Sequence, residues 1–399
     1  MSAVIFWGCV LLIVYTYAGY PLLLAAAARI VRGLHKKKWS PAAVPTVTVL
    51  IAAYNEAEVI AKKLENTLAL NYPRELLQIL VAADGSDDGT DEIVRSFANR
   101  GVELSYIPER QGKMAAINRA MQQARGEIVV FSDANNAYEV HTLRALVAPF
   151  NEPGVGMVTG AKHILRGGGS LGSSEGLYWR YESFIQTRES RLGCCTGAAG
   201  EIMAIRRSLY TPPPPKIIND DANIALSVIR AGYRVVYARE ARSFETVSLT
   251  AQDEIRRRTR IIAGRYQLIS MAGKLLPWNR PVVVWQFFSH KILRPLVPFA
   301  MLGALLANLA AVIVPAPAGP AAWLRLAPPY ALVFLGLQGL FYLLAAIGNW
   351  VDQKKMRKLL YLPTFLVNSN LAALYGFISF ISGKQTVLWE RVRRQDETE

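Results

Sequence analysis

A chain of 399 residues has room for one sizeable domain and a second element, and its 52% hydrophobic content makes membrane the natural second element. A net charge of +15 would suit nucleic acid, but no nucleic-acid motif occurs and many of the cations flank apolar runs, so anionic lipid is the partner they indicate. The four histidines have no metal-ligand spacing, and two of the three cysteines, Cys194 and Cys195, are adjacent, a poor arrangement for a structural disulfide.

Val4–Ala28 is uncharged and, at about 1.5 Å per helical residue, long enough to cross a ~30 Å hydrocarbon core. It lacks a basic n-region and is too long for the apolar core of a cleaved signal peptide. Arg29, Arg32, Lys36, Lys37 and Lys38 follow, which places that end and the polar segment after it in the cytoplasm. Trp39–Pro45 reads as a short linker.

From Thr46 to about Gly273, short apolar strands alternate with helical stretches. Strands are expected at Val47–Ala53, Gln78–Ala83, Val102–Ile107 and Glu127–Ser132, with helices at Glu56–Leu70, Asp87–Ala98, Lys113–Ala124 and His141–Phe150. This βαβα pattern predicts a mostly parallel, doubly wound sheet, in which ligands bind beyond the carboxyl ends of the strands. Three strands end in polar groups: Tyr54-Asn55-Glu56, Asp84-Gly85-Ser86-Asp87-Asp88 and Asp133-Ala134-Asn135. Ser86 or Asp87 is the expected N-cap of the helix after Asp84, and capping alone would account for Asp87 or Asp88. It accounts less well for Glu56, Asp84 and Asp133 together.

Further on, Gly167-Gly168-Gly169 is a loop, Leu171–Arg191 an amphipathic helix, Ala199–Ile205 a strand and Thr211–Pro215 a stiff loop. Asp220–Ala231 is a helix stopped by Gly232, and Ala251–Ala272 is a basic helix. Trp278–Arg294 mixes aromatic and basic residues and reads as an interfacial helix. Leu296–Val314 and Pro329–Ile347 are spanning candidates, with their connector outside and the basic loop around Lys354, Lys355, Arg357 and Lys358 inside. Tyr361–Ile381 is long enough to span but carries Asn368-Ser369-Asn370 at its middle, so a re-entrant or interfacial segment is favoured over a span. Lys384, Arg391, Arg393 and Arg394 would then lie on a cytoplasmic tail.

The motifs just quoted, with Gly112-Lys113, Thr196-Gly197-Ala198-Ala199, Asn219-Asp220-Asp221 and Arg257-Arg258-Thr259-Arg260, follow one another in an order that resembles the family 2 membrane glycosyltransferases. That group includes cellulose, chitin, hyaluronan and poly-N-acetylglucosamine synthases. The resemblance covers the soluble segment nearly end to end. It implies a GT-A fold for residues 39–277, flanked by an N-terminal membrane helix and basic linker over 1–38. Residues 278–399 would hold the interfacial helix, C-terminal membrane helices and basic tail. It further implies a UDP-sugar donor, inversion at the anomeric carbon and Mg²⁺ or Mn²⁺.

Carried residue by residue, the resemblance makes Asp84 the acceptor of a uracil N–H, with Tyr54 and Glu56 in the nucleoside pocket and Lys113 near the diphosphate. Asp133 would hold the cation, since Mg²⁺ and Mn²⁺ prefer oxygen ligands and phosphate. Asn135 stands where the family commonly carries a second aspartate; its amide can coordinate but adds no charge. Asp221 would be the base that takes the acceptor proton, with Asp220 favouring a proton in the site by like-charge repulsion. Helix capping is the simpler role for one of the two. Arg258 and Arg260 would meet the leaving diphosphate or, as a basic face, anionic lipid. Gly197 and Ala198 would let an acceptor sugar approach the backbone. Ile261 replaces the tryptophan that processive members carry after the last arginine.

The expected protein is therefore a multi-pass bacterial inner-membrane enzyme with a cytoplasmic catalytic domain, building a polysaccharide or glycan from UDP-sugar. Single-sugar transfer to a lipid-linked acceptor is one alternative, and a non-catalytic subunit of an export complex is another. The small membrane bundle points to export partner subunits or a dimer. A transporter fits poorly, because no inverted repeat is evident.

Overall fold

The computed structural model describes residues 1–32, 44–165, 170–214, 216–246, 251–317, 319–351 and 358–383. Most of the 39–45 linker, the 167–169 glycines, Pro215 and the basic residues at 36–38, 354, 355, 357, 384, 391, 393 and 394 lie outside the described residues. The chain divides into two compact units, one of sheet and surrounding helices (26–254 and 270–284) and one of apolar helices (1–25, 255–269 and 285–383).

The sheet unit is built on eight strands. They are β1 (Val47–Ala53), β2 (Leu77–Asp84), β3 (Val102–Ile107), β4 (Ile128–Asp133), β5 (Asn136–Tyr138), β6 (Val155–Ile164), β7 (Met203–Arg206) and β8 (Arg234–Glu245). Their order is β3-β2-β1-β4-β7-β6-β8-β5. The first four are parallel, as the apolar runs predict. Beyond them the sheet is mixed: β7 is antiparallel to both β4 and β6, and β5 is antiparallel to β8. The sheet is thus mostly parallel, as expected, with β6 and β8 also paired in parallel and the antiparallel pairings confined to β7 and β5. Strands β6 and β8 carry Lys162, Arg239, Glu240 and Arg242, so they do not read as apolar runs.

Every residue of β1 is buried, the mark of a central strand covered on both faces. Its one polar side chain, Thr48, donates to Gln78 Oε1 on β2 (2.7 Å) and accepts from the Gly126 N–H (2.9 Å). Leu64, Ile60, Leu143 and Leu146 from the flanking helices complete the core beside Val49, Ile51 and Val130. Neither Ser86 nor Asp87 caps the next helix, which begins at Thr90 behind Gly89 at φ 88°. Both are instead engaged by Asn55, and Asp88 accepts the Thr90 N–H (3.1 Å).

In the helical unit, four helices among the described residues are long and apolar enough to cross a membrane: 2–31, 281–313, 330–350 and 359–381. Two expectations change here. The segment expected as a separate interfacial helix continues from Pro281 through a π-helical turn at Phe288–Ile292 into Leu293–Ile313 without a break. Lys358–Ile381 is one unbroken helix through Asn368–Asn370, so the re-entrant reading gives way to a fourth candidate span. The amides are satisfied sideways: Asn370 Nδ2 donates to Tyr17 Oη (3.0 Å), and Asn368 Nδ2 to Asn349 Oδ1 (2.8 Å).

A Cβ on Gly126 would lie 2.4 Å from Thr48 N and 2.6 Å from Val47 C, both backbone atoms of β1. Gly126→Ala is therefore expected to destabilise the chain by roughly 1–3 kcal/mol, the usual range for overpacking. A thermal melt of the detergent-solubilised protein checks this; an unchanged midpoint would show that β1 and β4 tolerate wider spacing.

Candidate active site at the carboxyl ends of the parallel strands

The chain runs outward from β1 to β2 to β3 and then returns to β4 on the other side of β1. That reversal makes the β1–β4 crevice a topological switch point, where ligands of open α/β sheets bind. Ala53 pairs with Ala83 and Ala52 with Asp133, so Asp84 and Asp133 end the strands on either side of β1. At about 4.8 Å per strand spacing the two strands are roughly 10 Å apart, with Tyr54–Glu56 leaving between them.

The β1 and β2 ends are laced together. Asn55, at a positive φ of 53°, donates its backbone N–H to Ser86 Oγ (3.1 Å) and Nδ2 to Asp87 Oδ1 (2.7 Å). The Glu56 N–H bonds Thr90 Oγ1 (2.9 Å), and the Ala57 N–H bonds Asp88 Oδ2 (3.0 Å). Glu56 itself is buried. Asp84, also buried, accepts the Gln111 N–H on one oxygen (2.9 Å) and the Gly112 N–H on the other (2.7 Å). Its carboxylate thus holds the loop before Lys113, and each oxygen retains a lone pair for a further donor. Gly85, at φ 64°, is packed against that loop: a Cβ there would lie 2.7 Å from Pro108 O and 2.8 Å from Arg110 N. The Arg110 guanidinium lies 3.9 Å from the centre of the Tyr54 ring. Arg110 was not among the residues expected at the site; a lone arginine in a loop carries no spacing signal.

Lys113 Nζ meets Asp133 Oδ1 at 2.5 Å. Both side chains are about a quarter exposed, so neither the β4 carboxylate nor its cation is sealed in the core. Asn135 is half-buried two residues on, across the turn that ends β4. One carboxylate and one amide oxygen make a hard, oxygen-only donor set. That set fits Mg²⁺ or Mn²⁺ sharing phosphate oxygens, because such ions take one or two carboxylates and complete their shell from substrate and water. Among the described residues no cluster of three or more His, Cys, Asp or Glu offers an all-protein metal cage.

Asp220 and Asp221 form the first turn of the helix Asp220–Arg230, and Asn219 is its N-cap. Asp221 Oδ1 accepts the Ala222 N–H (2.7 Å). Gly200 lies beneath Asp221: a Cβ on it would be 3.6 Å from Asp221 Cβ and 3.9 Å from Oδ2. The loop carrying Gly197 and Ala198 therefore ends against Asp221. Its start is pinned by Glu189 Oε2, which accepts both the Thr196 N–H and hydroxyl at 2.9 Å. Ala199 N–H bonds Thr159 Oγ1 (3.0 Å). Arg258 and Arg260 lie on the helix Ala251–Ser270, in the stretch that belongs to the helical unit.

A buried polar layer underlies the strand ends and was not legible in the sequence. Lys63 Nζ bonds Asn136 Oδ1 (2.7 Å) and O (2.9 Å) and lies 4.2 Å from the centre of the Tyr138 ring. Burial pushes the Lys63 ammonium down to about 7, with Asp133 and Glu201 pulling the other way. Lys162 pairs with Glu201 (2.6 Å) and with Glu245. Burial pushes the Glu201 carboxyl up, Lys162 opposes the shift, and Glu245 and Asp133 add to it.

Asp84→Ala is expected to leave the Gln111 and Gly112 N–H groups without an acceptor. Losing such bonds costs roughly 1–3 kcal/mol, so amide exchange at 108–112 should rise about tenfold or more. Hydrogen-exchange mass spectrometry of both proteins checks this, with unchanged exchange showing that the loop does not depend on Asp84.

Known glycosyltransferases resemble the chain in sequence and in fold. The chain is 34% identical over 150 residues to glycosyltransferase AglE of Haloferax volcanii, covering 37% of this chain and 48% of that protein. It is 25% identical over 229 residues to poly-beta-1,6-N-acetyl-D-glucosamine synthase of Staphylococcus aureus, covering 56% and 55%. The chain spans about half the length of these two curated relatives. Among solved structures, the mannosyltransferase PcManGT of Pyrobaculum calidifontis, in complex with GDP-Man and Mn²⁺, superposes with a TM-score of 0.70 at 24% identity, covering 96% of this chain and all of that one. That likeness establishes a shared GT-A fold with helices at both ends. Residues 45–264 match the family described as "Glycosyltransferase like family 2", more than half of the chain, and the chain belongs to that family of glycosyltransferase enzymes.

Proposed function

We propose that the protein is a membrane-bound inverting glycosyltransferase that moves a sugar from a UDP-sugar to a growing polysaccharide or glycan. The observation that carries this reading is the placing of Asp84 and Asp133 on either side of the β1 end, at the switch point of the sheet. A span of roughly 10 Å suits a nucleoside at one carboxylate and a diphosphate at the other. In this reading Asp84 accepts from the base, and Tyr54, Glu56 and Arg110 line the nucleoside end. Lys113 answers the diphosphate charge. Asp133, with Asn135, would hold Mg²⁺ or Mn²⁺, which supplies further positive charge to the diphosphate.

The transfer is a single displacement. The acceptor oxygen attacks the anomeric carbon as the bond to the UDP oxygen breaks, and Asp221 takes the acceptor's proton. The Ala222 N–H is bound at Asp221 Oδ1, and Oδ2 is the carboxylate oxygen nearest Gly200, at the end of the Gly197–Ala198 loop. Asp220 beside Asp221 favours the protonated product state by charge repulsion. Gly197 and Ala198 would admit the acceptor. The positive-inside pattern at Arg29 and Arg32 supports a cytoplasmic catalytic domain at an inner membrane. Export partners fit a polymer product.

A second reading, one sugar added to a lipid-linked acceptor, is favoured by Ile261, which stands where processive members carry tryptophan. A product ladder from one donor would support the polymerase, and a single added sugar the alternative.

UDP release from membranes carrying the full chain, with a panel of UDP-sugars, GDP-sugars as controls, and Mn²⁺ or Mg²⁺, tests the proposal. Release is expected with a UDP-sugar and should vanish with EDTA. Asp221→Asn should lower it by roughly 10²- to 10⁴-fold, the range for losing a general base, while UDP binding is retained. Release of GDP from a GDP-sugar, with no UDP released from any UDP-sugar, would overturn the donor assignment, and full activity in Asp221→Asn would overturn the base.

A further inference from the structure

One polar network joins the end of β4 to the loop before β7 through the interior of the sheet unit. Asn136, three residues after Asp133, is its hub. Asn136 Oδ1 accepts from Lys63 Nζ (2.7 Å) and Ser132 Oγ (3.0 Å). Asn136 Nδ2 donates to the Glu201 carbonyl (3.0 Å) and to Ser243 Oγ (2.8 Å). The Tyr138 hydroxyl donates to the same Glu201 carbonyl (2.7 Å). The Glu201 side chain turns the other way and takes Lys162 Nζ at 2.6 Å, and Lys162 also pairs with Glu245 at the end of β8. Lys63, Asn136, Tyr138, Lys162, Glu201 and Glu245 are all more than nine-tenths buried.

Such a cluster is an expensive way to hold a core. Each buried ion costs several kcal/mol of desolvation, and apolar residues of similar volume are often as stable. What the ions and amides give is one fixed arrangement, since each hydrogen bond specifies a distance and a direction. They specify the position of Glu201, whose backbone neighbour Gly200 lies against Asp221. Among the described residues, Glu201 Oε1 is a buried acceptor with no hydrogen-bond partner, unusual for a carboxyl kept only for folding.

We propose that Glu201 is a positioning residue, held by Lys162 at its side chain and by Asn136 and Tyr138 at its carbonyl. It fixes the loop Thr196–Gly200 relative to the Asp133 strand end, so that the acceptor side and the diphosphate side of the site stay in register. The inference rests on the reading of this site as a sugar-transfer site. The network is a device for transfer geometry, because its members reach both sides of the site through second contacts.

The test uses the full chain in membranes or detergent and three readouts: UDP affinity, transfer turnover, and the ratio of donor hydrolysis to transfer. In Glu201→Gln, UDP affinity is expected within about twofold of wild type, transfer turnover to fall roughly 10- to 100-fold, as for an ångström-scale misplacement, and the hydrolysis ratio to rise. Tyr138→Phe removes one bond to the Glu201 carbonyl while leaving the ions intact, and should shift the ratio in the same direction by less. A merely structural role would lower UDP binding and transfer together with the folded fraction and leave the ratio unmoved; that result overturns the proposal. So does wild-type turnover and ratio in both folded variants, and if Glu201→Gln does not fold, Tyr138→Phe alone decides. A wild-type chain that binds UDP and transfers nothing would instead overturn the reading of the site.

Discussion

Strand β1 has no solvent-facing side, and this constraint organises the catalytic unit. A strand covered on both faces tolerates a polar side chain inside it only when that group is hydrogen-bonded, as Thr48 is, and can place a carboxylate only where it ends. β1 ends in Tyr54-Asn55-Glu56, and its neighbours β2 and β4 obey the same rule and end in Asp84 and Asp133. The sheet's need for an apolar interior thereby sorts its carboxylates to one edge. Parallel pairing then aligns those edges, because strands running the same way finish on the same side.

Collecting carboxylates creates an electrostatic problem that the local structure answers piece by piece. Asp84 is met by two backbone N–H groups, Asp133 by Lys113, and Asp221 by the Ala222 N–H at its helix start. These are three different solutions with different consequences. Backbone donors cannot leave, so Asp84 is a fixed point that holds its loop as much as it binds anything. The partner of Asp133 is instead a flexible lysine side chain, and both groups are partly open to solvent. Asp221 sits in the first turn of its helix, where the backbone N–H groups favour a negative charge. One strand-end carboxylate is thus held by the backbone and the other by a side chain, a difference set by the segment that follows β3 rather than by the strands themselves.

The sequence made the parallel half of the fold legible because its strands are short apolar runs punctuated by polar turns. Val47–Ala53 and Val102–Ile107 are found where the runs place them. The mixed half was hidden for a physical reason: Lys162 and Glu245 sit inside strands β6 and β8, and charged residues there look like loop until each is seen paired with the other. The helix after β2 starts later than Ser86 or Asp87 because both are spent tying β2 to β1, a tertiary use that no local capping rule detects. Asp84, Asp133 and Asp221 were visible because motif spacing reports the backbone chemistry of strand ends and helix starts. Lys63, Asn136 and Glu201 were not, since each is polar for the sake of partners about 39 to 73 residues away in the chain.

The helical unit shows the same logic in a different solvent. Asn368 and Asn370 suggest a broken or shallow segment when read alone, because an amide in hydrocarbon needs a partner. Each finds one on another helix, Asn349 and Tyr17. Hydrogen bonds of this kind contribute only about 0.6 kcal/mol on average in membranes. That is too little to fold the bundle but enough to favour one rotation of a helix over another. Gly348 adds a steric key, since a Cβ there would lie 1.9 Å from Thr364 Oγ1. Tyr15 and Ser289, each within a π-helical turn, meet at 2.8 Å and Trp285 donates to the same tyrosine at 3.0 Å. Polar residues in these helices therefore mark where helices touch, and a polar middle argues for a span with a neighbour rather than for a turn back.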